Sequence, residues 1–337
     1  MIVIASDKFK GTLSSLRAGS AICHGLGKLN GQEIAVVTMA DGGEGTAEAL
    51  GAHAKEGMFF EYTDVDGSEA AYIPSCGENL SWQPCVCRRD IPLRQRTSRE
   101  VGVAIRRAAE SNSYTRIDIG IGGTLTADGG LGMLEGLGYI VERDDNELPI
   151  SIKSPGLLAD YYRKRLRGLA DVCAPLYSES GLSAMSFIAQ KGADNRDREW
   201  CSALFSRLKQ IFPGNDKHGG AGGGIGFALE RIVGCTVTSG ASVILEKVLY
   251  GLSPKLIITG EGRLDPQTIG GKTVAAVYDY ASRRGIAAMT FCGSMADGVD
   301  LCNVFPCVQD GSPLPSDPYT TLLKTAEAAR PYIENLL

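Results

Sequence analysis

The sequence predicts an α/β protein of two domains, one a parallel-sheet domain formed by both chain ends and the other an inserted α/β domain. A chain of 337 residues with 44% hydrophobic content can bury two cores. Apolar strands alternate with helices in the first fifty residues, and the same order of strand, acid, glycine and helix returns near residue 255. The section between them changes character. We therefore place one domain at residues 1–65 plus 255–337, and the inserted one at 66–254.

The opening residues predict a βαβα unit. Ile2–Ala5 is an apolar strand, Leu13–Leu29 has helical spacing, Ile34–Met39 is the next strand, and a helix follows from about Gly43. Unbroken apolar strands that alternate with helices are typical of a parallel sheet covered on both faces. This part of the chain is therefore predicted to be Rossmann-like.

The rest of the chain predicts further elements of both kinds. Residues 74–99 form a polar, cysteine-bearing segment without period, and residues 156–212 indicate two or three helices without firm bounds. The clearer predictions are strands at Phe59–Tyr62, Ala71–Ile73, Arg116–Ile121, Lys255–Thr259 and Ala287–Cys292, and helices at Ser98–Glu110 and Thr273–Arg284.

Charge and cysteine content exclude several classes of protein. The 34 Lys and Arg residues are balanced by 39 Asp and Glu, a net charge of −5, which argues against nucleic acid or a membrane surface as the main partner. No apolar stretch is long enough to span a bilayer. The ten cysteines show no metal-binding spacing. We expect a cytoplasmic enzyme with free thiols, and the composition leaves homo-oligomerisation open.

Four predicted strands are each followed by an acidic residue with glycine close by. Asp7 follows the first strand, Asp41 lies in MADGGEGT, and Asp128 lies in GGTLTADGGLG. The fourth strand runs into GEGRLD, which carries Glu261 and Asp265. Ligands bind at the carboxyl ends of parallel strands, whereas a single Asp there also suits a helix N-cap. Four such acids together favour a ligand site.

The same segments carry groups that suit phosphate. Carboxylates hold Mg²⁺ or orient a hydroxyl, and lysine, arginine and glycine amides neutralise and approach phosphate. The cations are Lys8, Lys10, Arg263 and Lys272, and the glycines are Gly42, Gly43, Gly122 and Gly123.

The familiar nucleotide-binding signatures are absent. Gly271-Lys272-Thr273 ends like a P-loop, but Pro266 stands where that motif needs its first glycine, and no Gly-x-Gly-x-x-Gly is complete. The glycine-rich stretch HGGAGGGIGFAL carries Gly222 and Gly223. It suits either a phosphate cradle or close packing, and the sequence leaves both open.

Five long motifs resemble the class I glycerate kinases, in that family's order. They are ASDKFKGTLSS, MADGGEGT, GIGGTLTADGGLGMLEGLG, GAGGGIGFALERIVGCTVTSGASVILE and LIITGEGRLDPQTIGGKT, and the resemblance runs from residue 1 to about 295. It implies ATP- and Mg²⁺-dependent phosphorylation of D-glycerate, with 2-phosphoglycerate favoured over 3-phosphoglycerate as product. It also implies two α/β domains with a cleft between them.

The resemblance and the strand-end pattern together give the expected site, although which acid holds metal and which handles the hydroxyl stays open. The residues expected to be catalytic are Asp7, Lys8, Asp41, Asp128, Arg263 and Asp265, with Asp41 and Asp265 as magnesium ligands. The residues expected to bind substrate or nucleotide are Lys10, Gly42, Gly43, Glu44, Gly122, Gly123, Gly222, Gly223, Glu261 and Lys272.

The chain departs from the family pattern around the expected acceptor pocket. Thr124–Ala127 lacks the amide that usually precedes the Asp-Gly-Gly, and Asp171–Ala174 lacks an asparagine. Residues 74–99 match poorly. Two alternatives follow: a non-catalytic protein that binds a hydroxy acid, or a kinase for another small hydroxy acid.

Overall fold

The chain divides into two compact units, each a mixture of helices and strands. The computed structural model describes residues 1–29, 31–55, 58–75, 90–111, 114–265 and 273–337. Residues 1–40 and 241–337 form unit 1, and residues 41–240 form unit 2.

Thirteen strands lie within the described residues: β1 Ile2–Ile4, β2 Ile34–Val36, β3 His53–Lys55, β4 Phe59–Thr63, β5 Glu69–Pro74, β6 Arg116–Gly120, β7 Ile140–Arg143, β8 Pro149–Lys153, β9 Leu166–Ala170, β10 Thr236–Ser239, β11 Leu256–Leu264, β12 Ala287–Met295 and β13 Val304–Pro306. The α-helices are α1 Ser15–Leu26, α2 Thr46–Leu50, α3 Arg99–Glu110, α4 Leu131–Gly136, α5 Leu157–Arg165, α6 Asn195–Ile211, α7 Ile225–Phe227, α8 Gly240–Val248, α9 Thr273–Arg284 and α10 Pro318–Leu336. Short 3₁₀ segments lie at Leu93–Gln95, Ala184–Phe187, Ala189–Lys191 and Ala221–Gly224, and a π-helical segment lies at Ala228–Val233.

Unit 1 is built on a five-stranded parallel sheet in the order β13-β12-β11-β1-β2. Ile2 lies in register with Leu256 on one side and with Ile34 on the other. The prediction that the first strand and the strand after residue 255 share one sheet is therefore confirmed. The strand order reverses at β1 and β11, and this order creates a topological switch point between them.

Helices α1 and α10 pack closely on each other in unit 1. The N-cap of α1 is Ser14, and its buried face includes Ala18 and Ile22. A Cβ atom on Gly25 would lie 2.2 Å from the Leu323 carbonyl oxygen, so only glycine permits this approach. Burying a side chain such as Ile22 stabilises the fold by about 1.5–3 kcal/mol.

Unit 2 is built on a six-stranded mixed sheet in the order β10-β9-β6-β5-β4-β3. Strands β5, β6, β9 and β10 are parallel, whereas β3, β4 and β5 pair antiparallel. Strands β7 and β8 form a separate hairpin. The carboxyl ends of β5, β6, β9 and β10 therefore lie along one edge of the sheet.

The structure differs from the sequence-based expectations in three places. Strands β3 and β4 pair in the sheet of unit 2, so residues 41–65 belong with that unit, and residues 241–254 belong with unit 1. Strand β11 continues to Leu264, which puts Glu261 and Arg263 on the strand and not in a loop. Strand β9 was not predicted, because Arg167 and Gly168 interrupt its short apolar run.

Candidate active site

The switch point of unit 1 brings six of the predicted residues to one edge of its sheet. Residues 7–10 follow β1, and residues 261–265 extend β11 beyond its pairing with β1. A Cβ atom on Gly262 would lie 3.2 Å from the Lys10 amide nitrogen, so the two segments lie against each other. We name as the unit 1 group Asp7, Lys8, Lys10, Glu261, Arg263 and Asp265.

Asp7 is buried, and both of its carboxylate oxygens accept hydrogen bonds from the protein. The Lys8 amide donates to Oδ1 at 2.7 Å, and the Thr273 hydroxyl donates to Oδ2 at 2.6 Å. The Asp7 amide in turn donates to the Gly260 carbonyl at 2.9 Å. Asp7 therefore ties together the ends of β1 and β11 and the first residue of α9.

Arg263 forms a bidentate ion pair with Asp310, a residue that the sequence did not single out. Its Nε and Nη2 donate to the two Asp310 carboxylate oxygens, each at 2.9 Å, and the Ser294 hydroxyl donates to the same carboxylate. These bonds hold the pKa of Asp310 well below its usual range and raise the pKa of Arg263. Nη1 lies 3.8 Å from Asp265 Oδ2.

The predicted lysines of this edge differ in exposure. Lys8 is half-buried and Lys10 is exposed. Lys272 lies outside the described residues, so its phosphate-binding role stays a prediction.

In unit 2 the Asp41–Glu44 segment lies at the carboxyl ends of β6 and β9. The Gly122 amide donates to the Gly42 carbonyl at 3.3 Å. Gly42 has φ = +98°, and a Cβ atom on it would lie 2.4 Å from the Leu169 carbonyl oxygen. Glycine is therefore required here for the close approach of two backbones. Glu44 is exposed and lies two residues before α2.

Asp41 and Asp171 form a pair of interacting carboxylates at this edge. The Gly43 amide donates to Asp41 Oδ1 at 3.2 Å. Asp171 directly follows β9, and a Cβ atom on Gly122 would lie 3.1 Å from its Cβ. Burial, followed by the negative charge of Asp41, raises the pKa of Asp171 to about 7. The Lys191 charge and a bond from the Gly123 amide oppose this shift.

Lys191 is a buried cation beside this pair, with 5% of its surface exposed. Its ammonium donates to the Thr124 hydroxyl at 3.0 Å and to the Thr126 carbonyl at 2.7 Å. We name as the unit 2 group Asp41, Gly42, Gly43, Gly122, Gly123, Asp171 and Lys191.

Asp128 is enclosed by donors from the protein, and its catalytic role stays a prediction. Its carboxylate accepts from the amides of Ser98, Gly130 and Gly132, at 2.8–3.2 Å, and from the Ser98 hydroxyl. Burial raises the pKa of Asp128, and these bonds oppose that effect. The geometry supports a structural role, in which Asp128 orders the loop before α4.

Gly222 and Gly223 pack against the loop that follows β6. Both are buried with positive φ, and a Cβ atom on Gly223 would lie 2.0 Å from the Thr126 carbonyl oxygen. Of the two interpretations of the glycine-rich stretch, the structure supports close packing. The departures at Ala127 and Ala174 also fall on buried positions.

A family model described as "Glycerate kinase family" matches residues 2–316. The chain belongs to the glycerate kinase family. A protein of Escherichia coli K12 named glycerate 2-kinase is 33% identical, over 89% of this chain and 87% of its own length. A glycerate kinase of Bacillus subtilis 168 is 30% identical, over 88% and 85%. The family resemblance inferred from the five motifs is thus confirmed.

The fold agrees with this membership. A crystal structure from Salmonella typhimurium LT2, provisionally named glycerate kinase 2, superimposes with a TM-score of 0.68 at 26% identity, covering 99% of this chain and 98% of that one. Within the part of the chain that the structure describes, no helix has the length and apolarity to cross a bilayer.

Three residues of interest in this family member were missed from sequence. Asp171 follows a strand like the other acids, and recognising β9 would have revealed it. Lys191 has no local signal, because its partners lie 65 and 67 residues away in the sequence. Asp310 lies 47 residues beyond Arg263, in a loop that has no distinguishing pattern.

Proposed function

We propose that the protein transfers the γ-phosphoryl group of ATP, with Mg²⁺, to the 2-hydroxyl of D-glycerate and so produces 2-phosphoglycerate. The observation that carries the proposal is the Asp41–Asp171 pair beside the glycines at the ends of β6 and β9. Family membership supports a kinase with glycerate as substrate. The name of the Escherichia coli relative supports the 2-hydroxyl as acceptor.

In this proposal Asp171 takes the proton of the acceptor hydroxyl. The hydroxyl oxygen attacks the γ-phosphorus, the bond to the bridging oxygen breaks, ADP leaves, and the proton passes to the Asp171 carboxylate. Gly42 lets the segment that carries Asp41 pack against Leu169, because a Cβ atom there would lie 2.4 Å from the Leu169 carbonyl oxygen. Gly123 is exposed, and no atom lies within 4 Å of the position that a Cβ would occupy.

The cations of the unit 1 group supply positive charge for phosphate in this proposal. Lys8, Lys10 and Arg263 are cations at the switch point, where open α/β sheets bind ligands. Phosphoryl transfer depends on positioning and on electrostatic stabilisation of the equatorial oxygens. Asp310 fixes the plane of the Arg263 guanidinium, as needed for an oriented contact.

The carboxylates present fit Mg²⁺. No cluster of three or more His, Cys, Asp or Glu side chains suited to a metal occurs among the described residues. Mg²⁺, however, is usually held by one or two carboxylates together with substrate phosphates. A divalent cation bound at Asp41 would relieve the repulsion between Asp41 and Asp171. Asp41 is the residue of unit 2 that would hold Mg²⁺, and Asp265 is the residue of unit 1 for which we propose the same role. A bound Mg²⁺ would neutralise phosphate charge.

The proposal includes a cytoplasmic location, because ATP is supplied there and because the cysteines within the described residues are free thiols.

The test is ADP release from ATP and Mg²⁺ with D-glycerate and with a panel of C3 and C4 hydroxy acids. We expect turnover with D-glycerate, and phosphorus NMR of the product should show phosphate on the 2-oxygen. Turnover only with another acid would replace the proposed substrate. Saturable binding of D-glycerate without turnover would indicate a non-catalytic binding protein.

A further inference from the structure

Lys191 is held in a defined position by the loop that also carries Gly122 and Gly123. The Thr124 hydroxyl and the Thr126 carbonyl each accept a hydrogen bond from its ammonium, at 3.0 and 2.7 Å. The Lys191 carbonyl accepts from the buried Arg96 guanidinium at 2.8 Å, which anchors the backbone at this residue. The ammonium is therefore a fixed charge and not a mobile surface group.

The charge of Lys191 acts on the unit 2 group. Its partner Thr124 follows Gly122 and Gly123 directly in the loop, and a Cβ atom on Gly122 would lie 3.1 Å from the Cβ of Asp171. An acidic substrate brings a third carboxylate close to the two carboxylates of this group. Like charges at such short range repel strongly in a partly buried site, so a substrate of this kind requires a nearby cation.

Two other cations of unit 2, Arg96 and Lys209, also have partners within the protein. The Arg96 guanidinium donates to the carbonyls of Ile91, Leu125 and Lys191. Lys209 pairs with Asp216 and also donates to the Gly214 carbonyl. Of these three cations, Lys191 is the one whose side chain donates to Thr124, the residue after Gly123.

We propose that Lys191 is the specificity-determining residue that pairs with the carboxylate of the acid substrate. The inference rests on the proposed function, because it concerns the same acceptor site. It explains why a hydroxy acid, and not a neutral polyol, binds beside two carboxylates. The contacts with Thr124 and Thr126 fix the position of the ammonium and so contribute to the preference for an acid substrate.

The experiment compares the binding of D-glycerate with that of glyceramide, its neutral amide, by isothermal titration calorimetry without nucleotide. We expect Lys191→Met to weaken D-glycerate binding by about 10²-fold, the usual scale for truncating one partner of a buried charge pair, and to change glyceramide binding less than threefold. Lys191→Gln keeps a polar group near Thr124 and Thr126 and should show the same loss of D-glycerate binding. It replaces Lys191→Met in the experiment if that variant does not fold. Circular dichroism melting checks folding.

Lys209→Met is the matched control, since it removes a lysine held by a carbonyl and a side chain elsewhere in unit 2. It should change the binding of both ligands by the same factor. A folded Lys191 variant that keeps the wild-type preference for D-glycerate over glyceramide would overturn the inference. Absence of D-glycerate binding to the wild type would overturn both proposals. Lys191-dependent binding without turnover would support the inference and overturn the proposed kinase activity.

Discussion

At the residue scale, the acids that follow strands fall into two kinds. Asp7 and Asp128 are buried, and their oxygens accept bonds from backbone amides and hydroxyls of the protein itself. Asp41 is half-buried and has Gly43 as its one hydrogen-bond donor within the described residues. The first kind orders loops, and the second is suited to a ligand.

Asp41→Asn tests whether the carboxylate of Asp41 acts on a ligand. Asparagine keeps the acceptor for the Gly43 amide and removes only the charge, so the melting temperature should change little. Loss of an oriented charge or base should lower kcat by about 10²–10⁴-fold, or roughly 3–5 kcal/mol. Steady-state kinetics measure the change in kcat, and thermal melting measures the change in melting temperature. A variant that keeps more than about a tenth of wild-type kcat would return Asp41 to a structural role.

Asp310 should affect ATP binding by orienting the Arg263 guanidinium. Losing a charged hydrogen bond typically costs about 1.5–3 kcal/mol, so Arg263→Met should raise the KM for ATP by about tenfold or more. Asp310→Asn, which removes the partner that orients the guanidinium, should raise it by a smaller factor. The double variant should resemble Arg263→Met alone, because both changes disrupt one interaction. Arg263 is exposed and Asp310 is half-buried, and ion pairs near the surface contribute little to stability, so the melting temperature should change little.

A double-variant effect equal to the product of the single effects would show that Asp310 does not act through Arg263.

At the element scale, the loop after β6 is positioned by the glycine-rich stretch at residues 220–224. Gly223 approaches the Thr126 carbonyl, and the Gly129 amide donates to the Gly223 carbonyl at 3.1 Å. Thr126 also holds Lys191. The glycines therefore support the candidate site by packing beneath the loop, and their conformation follows from that close contact.

Gly223→Ala should destabilise unit 2 more than a matched glycine replacement. Gly51 has the same left-handed backbone, φ 67° and ψ 31° against 65° and 33°, with nothing within 4 Å of the added methyl. Gly51→Ala should lower the free energy of unfolding by about 1–2 kcal/mol. Gly223→Ala adds a steric clash and should cost about 2–5 kcal/mol in total. Urea denaturation measures both. Equal losses would exclude packing as the role of Gly223.

At the scale of the whole molecule, unit 2 is a continuous segment inserted between the two halves of unit 1. Residues 41–240 contain a complete sheet and a hydrophobic core of their own. Unit 1 requires both chain ends, because β1 pairs with β2 on one side and with β11, which follows residue 255, on the other.

A fragment of residues 41–240 should therefore fold by itself, with α/β circular dichroism and cooperative unfolding. The fragment 66–254, cut at the boundaries predicted from sequence, is the matched comparison. It lacks β3 and β4, so it exposes the edge of β5 and should aggregate or unfold at lower denaturant. Size-exclusion chromatography and urea denaturation distinguish the two. Equal behaviour would show that β3 and β4 contribute little to unit 2.

The sequence by itself determined the elements with a strong local period and the general location of the acids. The observed bounds of α9 equal the predicted Thr273–Arg284, and the strands at both chain ends share one sheet as expected. Local periodicity suffices here, because an apolar strand or an amphipathic helix depends on neighbouring residues. Family motifs likewise identified the kinase family from residues alone.

Tertiary structure alone decided which of these residues can act together. It enclosed Asp128 with donors from Ser98, placed Asp171 beside Asp41, and brought Lys191 to Thr124. It also shows that β3 and β4 pair in the sheet of unit 2. These outcomes depend on contacts between segments far apart in the chain, and burial and charge pairing across such distances leave no periodic signal in the sequence.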